Sequence, residues 1–400
     1  NISIMKFIRR GHSHALYSIC LLVFIFTLHS VSPTIINSSF LNQYTTENGV
    51  GLLYSIGSIL TVFCFLFMSG ILRRIGNYKT TMVLIILEGL AFLGIIYYQN
   101  FYTIAPLFIV SLVMVNLIIF TLDIFLENHS DDIHTGGIRG IYLTVANAAW
   151  ILSPMIAGAL VGENDYKKIY LGAVLLLIPF IYFLRENFRN FRDPNYDHLS
   201  IKSTLHIMFH NKDFYRISLS NILLNFFYAW MTIYTPIYLH QYIGFNWEEI
   251  GIIFTIMLLP FVIFEIPLGN LADKKLGEKE ILSIGFIITA ISTIIISFIT
   301  IKNLWLWALV LFITRVGAAM IEIMNETYFF KKVDGKSSSE LSFFRITRPL
   351  AYIIVPLMAS LAFYFVGYKY SFIALGVIVF YGLRYSLTLK DTKYYFIKKV

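Results

Sequence analysis

The chain has 400 residues, of which 58% are hydrophobic and only 14% charged; its mean hydropathy is +0.72 and its formal net charge +8. A soluble domain carries nearer a quarter charged residues and needs them to cover its surface, so this composition excludes an ordinary water-soluble globule. No Gly-x4-Gly-Lys-Ser/Thr, His-Glu-x-x-His or Gly-x-Ser-x-Gly pattern occurs, which argues against an ATP-hydrolysing chain, a zinc protease or a serine hydrolase.

A membrane-spanning helix needs about 20 mostly apolar residues. Twelve such runs follow in chain order, at about 15–36, 50–69, 80–98, 103–126, 140–161, 168–184, 217–239, 249–268, 281–300, 304–325, 349–367 and 371–388. The sixth is short and extends naturally over 166–187. Long unbroken runs predict helices, because a membrane barrel is written in short alternating segments. The expected fold class is an all-α membrane protein of twelve transmembrane helices.

The longest polar stretch, Arg185–Asp213, is basic, contains Pro194 and separates six runs from six. It reads as a cytoplasmic linker, with a short surface helix at Ile201–Phe209. The expected organisation is an N-terminal half (1–187), a linker (188–212) and a C-terminal half (213–400). With the N-terminus in the cytoplasm, the inside segments hold 26 Lys and Arg, and the outside segments only Lys167, Lys168, Lys302 and Lys369. That asymmetry predicts both termini inside, in a cytoplasmic (inner) membrane. It also accounts for the positive charge without a nucleic-acid partner. Arg9 and Arg10 ahead of the first run read as the flank of a signal-anchor helix. Cys20 and Cys64 both fall in apolar runs and read as inert thiols. Asp131 and Asp132, with His129 and His134, read as a solvated loop rather than a metal site. No cofactor is expected.

The two halves repeat one another. Gly51 in TENGVGLLYSIG matches Gly251 in FNWEEIGIIFTI at an offset of 200, and Pro33 matches Pro236 at 203. In run five, Ala149, Ser153, Pro154, Ala157 and Gly158 have the same spacing as Ala351, Val355, Pro356, Ala359 and Ser360 in run eleven, at an offset of 202. Ser69–Lys79, SGILRRIGNYK, answers Gly269–Lys279, GNLADKKLGEK. Matches in order near one offset mark two homologous six-helix halves.

These segments resemble the major facilitator superfamily of transporters. The loop after that family's second helix reads roughly G-x-L-a-D-r-x-G-r-k. Here Gly269, Asp273, Gly277 and Lys279 follow it, with one extra residue before the second glycine. The first-half copy has Ser69 for the first glycine and Arg73 for the acid, and keeps Gly76. Pro154 and Gly158 lie in a softened form of the helix-five G-x-x-x-G-P-x-x-G-G motif, and Arg315 with Gly317, Ala318 and Ala319 faintly resembles the helix-four motif. The resemblance covers the whole chain. It implies two halves that rock about a central site, with the charged loops as the cytoplasmic gate. It sets Asp273 against the start of run five, at Gly136, Gly137 and Arg139. Glu265 then belongs to the gate rather than to the solute site. Because Arg73 replaces an acid, its expected partner is Glu340, which opens run eleven with Ser337–Ser339.

Ionisable residues within apolar runs are costly and are functional candidates by default. The resemblance places helices one, four, seven and ten around the cavity, which promotes His29, Asp123, Arg315 and Glu322. Glu322 follows Arg315 by seven residues, on the same helical face. Glu322 and Asp123 are the expected proton-coupling groups, and Arg315 either pairs with Glu322 or binds an anionic solute. Glu88 faces neighbouring helices. In run seven, Asn221, Asn225 and Tyr228 share a face which, with Trp230, offers a cavity wall for a moderately polar organic solute. The reading is a monomeric secondary transporter of a small organic solute working by alternating access, proton-coupled and leaning to efflux as an antiporter. The alternative is a transporter-fold protein that no longer transports and acts as a sensor or partner subunit.

Overall fold

The computed structural model describes residues 13–98, 100–128, 135–162, 165–194, 196, 212–274, 277–332 and 338–389. Every regular element among them is helical. The helices are α1 (Ser13–Leu41), α2 (Glu47–Ile75), α3 (Asn77–Tyr97), α4 (Phe101–Glu127), α5 (Thr135–Val161) and α6 (Tyr166–Phe188), then α7 (Lys212–Ile237), α8 (Trp247–Lys274), α9 (Glu278–Ile296) and α10 (Leu304–Lys332). A π-helical turn, Tyr238–Ile243, extends α7. The last long run, Ser338–Phe380, is broken at Gly367, where φ is 76° and ψ 167°. It therefore gives α11 (338–366) and α12 (368–380), before a short α13 (Gly382–Ser386).

Among the described residues, eleven continuous stretches are long and apolar enough to cross a membrane. The last, Ile346–Ser386, has 41 residues. As one helix it would run about 60 Å, twice the hydrocarbon thickness. Gly367 divides it, so the eleventh and twelfth expected runs are the two arms of one broken stretch. The short sixth run does extend, to Tyr166–Phe188.

Two compact units form, one of Asn1–Thr46 with Ile56–His198, the other of Glu47–Ser55 with Leu199–Val400. In the first, α1 packs on α4, α5 and α6, and α3 on α4 and α6, around Phe26, Phe125, Phe180 and Phe188. In the second, α7 packs on α10 and α11, and α9 on α10. The pairings α1–α5, α1–α4 and α3–α4 thus recur as α7–α11, α7–α10 and α9–α10. The same glycine opens the third helix of each half. Gly76 (φ 79°, ψ 163°) precedes α3 and Gly277 (φ 94°, ψ 167°) precedes α9. That backbone region is essentially reserved for glycine, so the match between the two loops is one of conformation as well as sequence.

The packing is inverted relative to a soluble bundle. On α9, Ser283, Thr289, Ser292 and Thr293 are buried, whereas Ile284, Ile287, Ile291 and Ile295 are exposed. Each buried hydroxyl donates to a carbonyl one turn back, at 2.6–2.8 Å, so none is left unmatched. Small hydroxylated residues let helices approach, while aliphatic side chains face lipid, where they need no burial in protein. The repeated proline motif follows this rule. Ala149, Ser153, Pro154, Ala157 and Gly158 are buried on α5, as are Ala351, Val355, Pro356 and Ala359 on α11.

After α6 the chain returns to cap α3. The Asn77 backbone N–H donates to Asp193 Oδ1 at 2.7 Å, and the Tyr196 hydroxyl donates to the same oxygen. Partial burial, with the Asp193 carboxylate beside it, pushes the Tyr196 phenol above its ordinary range, so it stays a donor. Gly76 itself caps nothing with a side chain. Asp193→Ala is therefore expected to lower stability by about 1 kcal/mol, as loss of a cap does, while Asp193→Asn retains an acceptor and stays near wild type. Thermal unfolding of the purified variants in detergent checks this. The expected helix at Ile201–Phe209 and the loop from His129 to His134 lie outside the described residues.

Candidate functional site

In the second unit a polar seam runs along α7. Ser220 donates to Asn325 Oδ1 on α10 at 2.7 Å, and Asn221 Nδ2 to Thr347 Oγ1 on α11 at 2.9 Å. Asn225 Nδ2 donates to the Asn221 carbonyl at 2.9 Å and lies 3.4 Å from Thr347 Oγ1. One turn further, the Tyr228 hydroxyl donates to Glu322 Oε2 at 2.6 Å. Asn221, Asn225 and Tyr228 thus share the face their spacing predicts.

Arg315, near the midpoint of α10, is 5% exposed. Its guanidinium carbon lies 4.9 Å from the Phe227 ring centre and 5.3 Å from that of Tyr228. Aromatic faces stabilise a cation but accept no conventional hydrogen bond. Arg315 Nε and Nη1 have no acceptor. No ion pair joins Arg315 to Glu322 among the described residues. The two share a helix face, but seven residues separate them by roughly 10 Å along the axis. Tyr228 stands at both, its ring beside Arg315 and its hydroxyl on the Glu322 carboxylate.

Trp230 is fully buried, packed against Phe226, Tyr234 and Phe363, with its indole N–H unmatched. Its contacts belong to an aromatic cluster rather than to the polar seam. There Phe363 stacks on Tyr368 at 4.5 Å, and the Tyr368 hydroxyl donates to the Tyr234 carbonyl at 2.8 Å.

The first unit holds a different constellation. His29 on α1 and Glu88 on α3 are both completely buried, with Nε2 3.5 Å from Oε1. His29 Nδ1 lies 2.8 Å from the Ala173 carbonyl on α6, and Ser111 on α4 donates to Glu88 Oε1 at 2.8 Å. A carbonyl only accepts, so Nδ1 carries the proton and Nε2 is left facing Glu88. Phe26 and Phe92 flank the imidazole. His29 is thus bound into the packed interior of α1, α3, α4 and α6, with Glu88 as its partner. Asp123 lies half-buried on α4.

Of the gate residues, Gly76 and Gly277 supply the tight turns, and Arg73 is exposed near the end of α2. Gly269 and Asp273 lie on α8, Glu265 earlier on the same helix, Arg139 on α5 and Glu340 at the start of α11; their surroundings fall outside the described residues. No group of three or more His, Cys, Asp or Glu able to hold a metal occurs among the described residues. Thr347, Asn325 and Ser111 were not singled out in the sequence. Each is neutral, so no charge in an apolar run marks it, and each finds its partner on another helix.

Solved transporter structures share this architecture over nearly the whole chain. A POT family transporter in complex with a thioalcohol-conjugated peptide aligns at TM-score 0.76 and 12% identity, covering 96% of each chain. A mutant of the nucleoside transporter NupG aligns at 0.75 and 13%, covering 93% of this chain and 99% of that one. A bacterial homologue of the iron transporter ferroportin aligns at 0.71 and 15%, covering 94% and 100%. At such identities the likeness is one of fold. No curated protein matches the sequence. The profile of the Major Facilitator Superfamily matches residues 17–251 and again 235–393. The chain belongs to the Major Facilitator Superfamily, a family of membrane transporters rather than enzymes.

Proposed function

We propose that the protein is a proton-coupled secondary transporter that moves a small organic solute by alternating access. The observation that carries this reading is Glu322, a carboxyl inside a spanning helix. It is held by one tyrosine hydroxyl, with no basic side chain in ion-pairing range among the described residues. A carboxyl with a single hydrogen-bond donor and no close ion pair, with Arg348 and Arg315 acting on it only from a distance, is equipped to take up a proton on one side and release it on the other. Asp123 is the corresponding group of the N-terminal half. The solute sits along the α7 seam, where amides, hydroxyls and aromatic rings suit a moderately polar organic molecule.

The loops around Gly76 and Gly277 serve as the cytoplasmic gate, with Arg73, Arg139, Asp273 and Glu340 as its charged members. The halves are residues 1–187 and 213–400, joined by 188–212, in the cytoplasmic membrane with both termini inside. Direction is read from α5, where Pro154 among small residues resembles the pattern of antiporting exporters, so the solute leaves the cell as protons enter. The protein works as a monomer.

Purified protein in liposomes under an imposed pH gradient tests this. Some member of a solute panel is expected to drive proton movement, and Glu322→Gln is expected to abolish it. Solute binding with no proton flux, in wild type and variant alike, would favour a sodium-driven carrier, a uniporter or a non-transporting sensor. The last is the reading to which the replacement of the first-half acid by Arg73 points.

A further inference from the structure

We infer that the solute is an organic anion, and that its carboxylate or phosphate group is received by Arg315. The inference rests on the solute-site reading above and supplies the chemistry that reading leaves open.

A buried guanidinium in a lipid-embedded bundle needs an anion, and structural arginines in such places have one. Arg315 does not. Glu322, the acid on its own face, gives Oε2 to Tyr228 and makes no ion pair with it. Glu326 lies a further turn along α10, away from Arg315. From α7 the guanidinium receives only the rings of Phe227 and Tyr228. Two of its nitrogens, Nε and Nη1, point at no acceptor. The polar groups nearby along α7 satisfy one another: Asn221 and Asn225 bond Thr347, and Ser220 bonds Asn325. Arg315 is the one charged group of this region whose buried nitrogens lack an acceptor among the described residues.

The ligand class follows from what is offered. Guanidinium N–H donors match the oxygens of a carboxylate or phosphate. The flanking rings add apolar walls, which an inorganic ion would not use and an organic anion would. Tyr228 touches both stations, so protonation of Glu322 alters the group that lines the anion's seat. That contact supplies a physical link between proton and solute without a direct Arg315–Glu322 bond.

The test uses purified full-length protein in a neutral detergent, free of anionic lipid, with three probes titrated by calorimetry: benzoate, phenyl phosphate and the uncharged benzamide. Benzoate or phenyl phosphate is expected to bind wild type while benzamide does not. Arg315→Gln is expected to weaken the anion by about tenfold or more, in line with loss of a charge-assisted hydrogen bond. Arg315→Lys, which keeps the charge but not the planar donor set, is expected to fall between the two. It also serves as the folding-competent variant if Arg315→Gln does not fold. Binding of neither anion to wild type overturns the proposal, as does equal binding by benzamide. So does an unchanged affinity in the Arg315 variants. If a neutral solute drives Glu322-dependent proton flux in the same preparation while no anion binds, the anion assignment falls and the transporter reading stands.

Discussion

Gly317→Leu is expected to prevent the second unit from folding to a monodisperse protein, and Gly317→Ala to lower its stability measurably. A Cβ on Gly317 would lie 2.7 Å from the Gly285 carbonyl oxygen and 2.7 Å from the Thr289 backbone nitrogen. The approach is reciprocal, since a Cβ on Gly285 would lie 2.9 Å from the Gly317 carbonyl oxygen. Real Cβ contacts are longer than this, and the colliding atoms are backbone, which no rotamer change can move. The helices α9 and α10 would have to separate, losing their close packing on one another. Between helices in lipid, close packing is the main attraction, because lipid tails cover aliphatic surface as well as leucine does. Overpacking typically costs 1–3 kcal/mol, and Gly317→Ala is expected at roughly the upper end of that range. Thermal unfolding and size-exclusion chromatography in detergent check both variants. A Gly317→Ala protein as stable as wild type would show that the two helices do not meet so closely.

Glu88→Ala is expected to be the most damaging single change in the first unit, while pairing it with His29→Leu restores much of the loss. Alone, the substitution leaves His29 Nε2 in a hydrocarbon-surrounded interior with no carboxylate beside it, and deprives Ser111 of its acceptor. Breaking a buried pair by removing one partner costs about 3–5 kcal/mol, whereas replacing both members with apolar groups is often close to neutral. The double variant Glu88→Leu with His29→Leu therefore separates two roles. If it recovers stability and keeps transport, the pair is a packing device. If it recovers stability and loses transport, the pair takes part in the cycle. Additive losses in a double-mutant cycle would show that the two side chains do not interact.

The helices were legible because lipid imposes a simple rule, a long apolar run, and the sequence obeys it almost without exception. The last span shows the rule at its limit: the runs 349–367 and 371–388 are divided where Gly367 turns the chain, although a single residue makes the turn. The repeat was legible too. Gly76 and Gly277 occupy equivalent places in SGILRRIGNYK and GNLADKKLGEK, and both adopt the same glycine-only conformation. Site residues were legible to the extent that charge in an apolar run is conspicuous, which brought out Arg315, Glu322, His29 and Glu88. Their partners were not. Helical spacing suggested Arg315 with Glu322, but Tyr228, 94 residues away on another helix, takes the carboxylate. His29 and Glu88 meet across 59 residues, a pairing that no periodicity encodes. Trp230 was conspicuous as a tryptophan, and its packing among aromatic rings could not be told from a cavity lining by composition alone.

On the proposed reading, the polar face of α7 is a solute seat reached alternately from the two sides of the membrane. The most direct test is Asn225→Cys in a protein whose Cys20 and Cys64 have been replaced by serine, labelled with an impermeant maleimide. The reagent is added to oriented vesicles from the inside and, separately, from the outside. The claim predicts labelling from both sides and protection by a transported solute. Labelling from one side only, unaffected by any solute that binds, would contradict it.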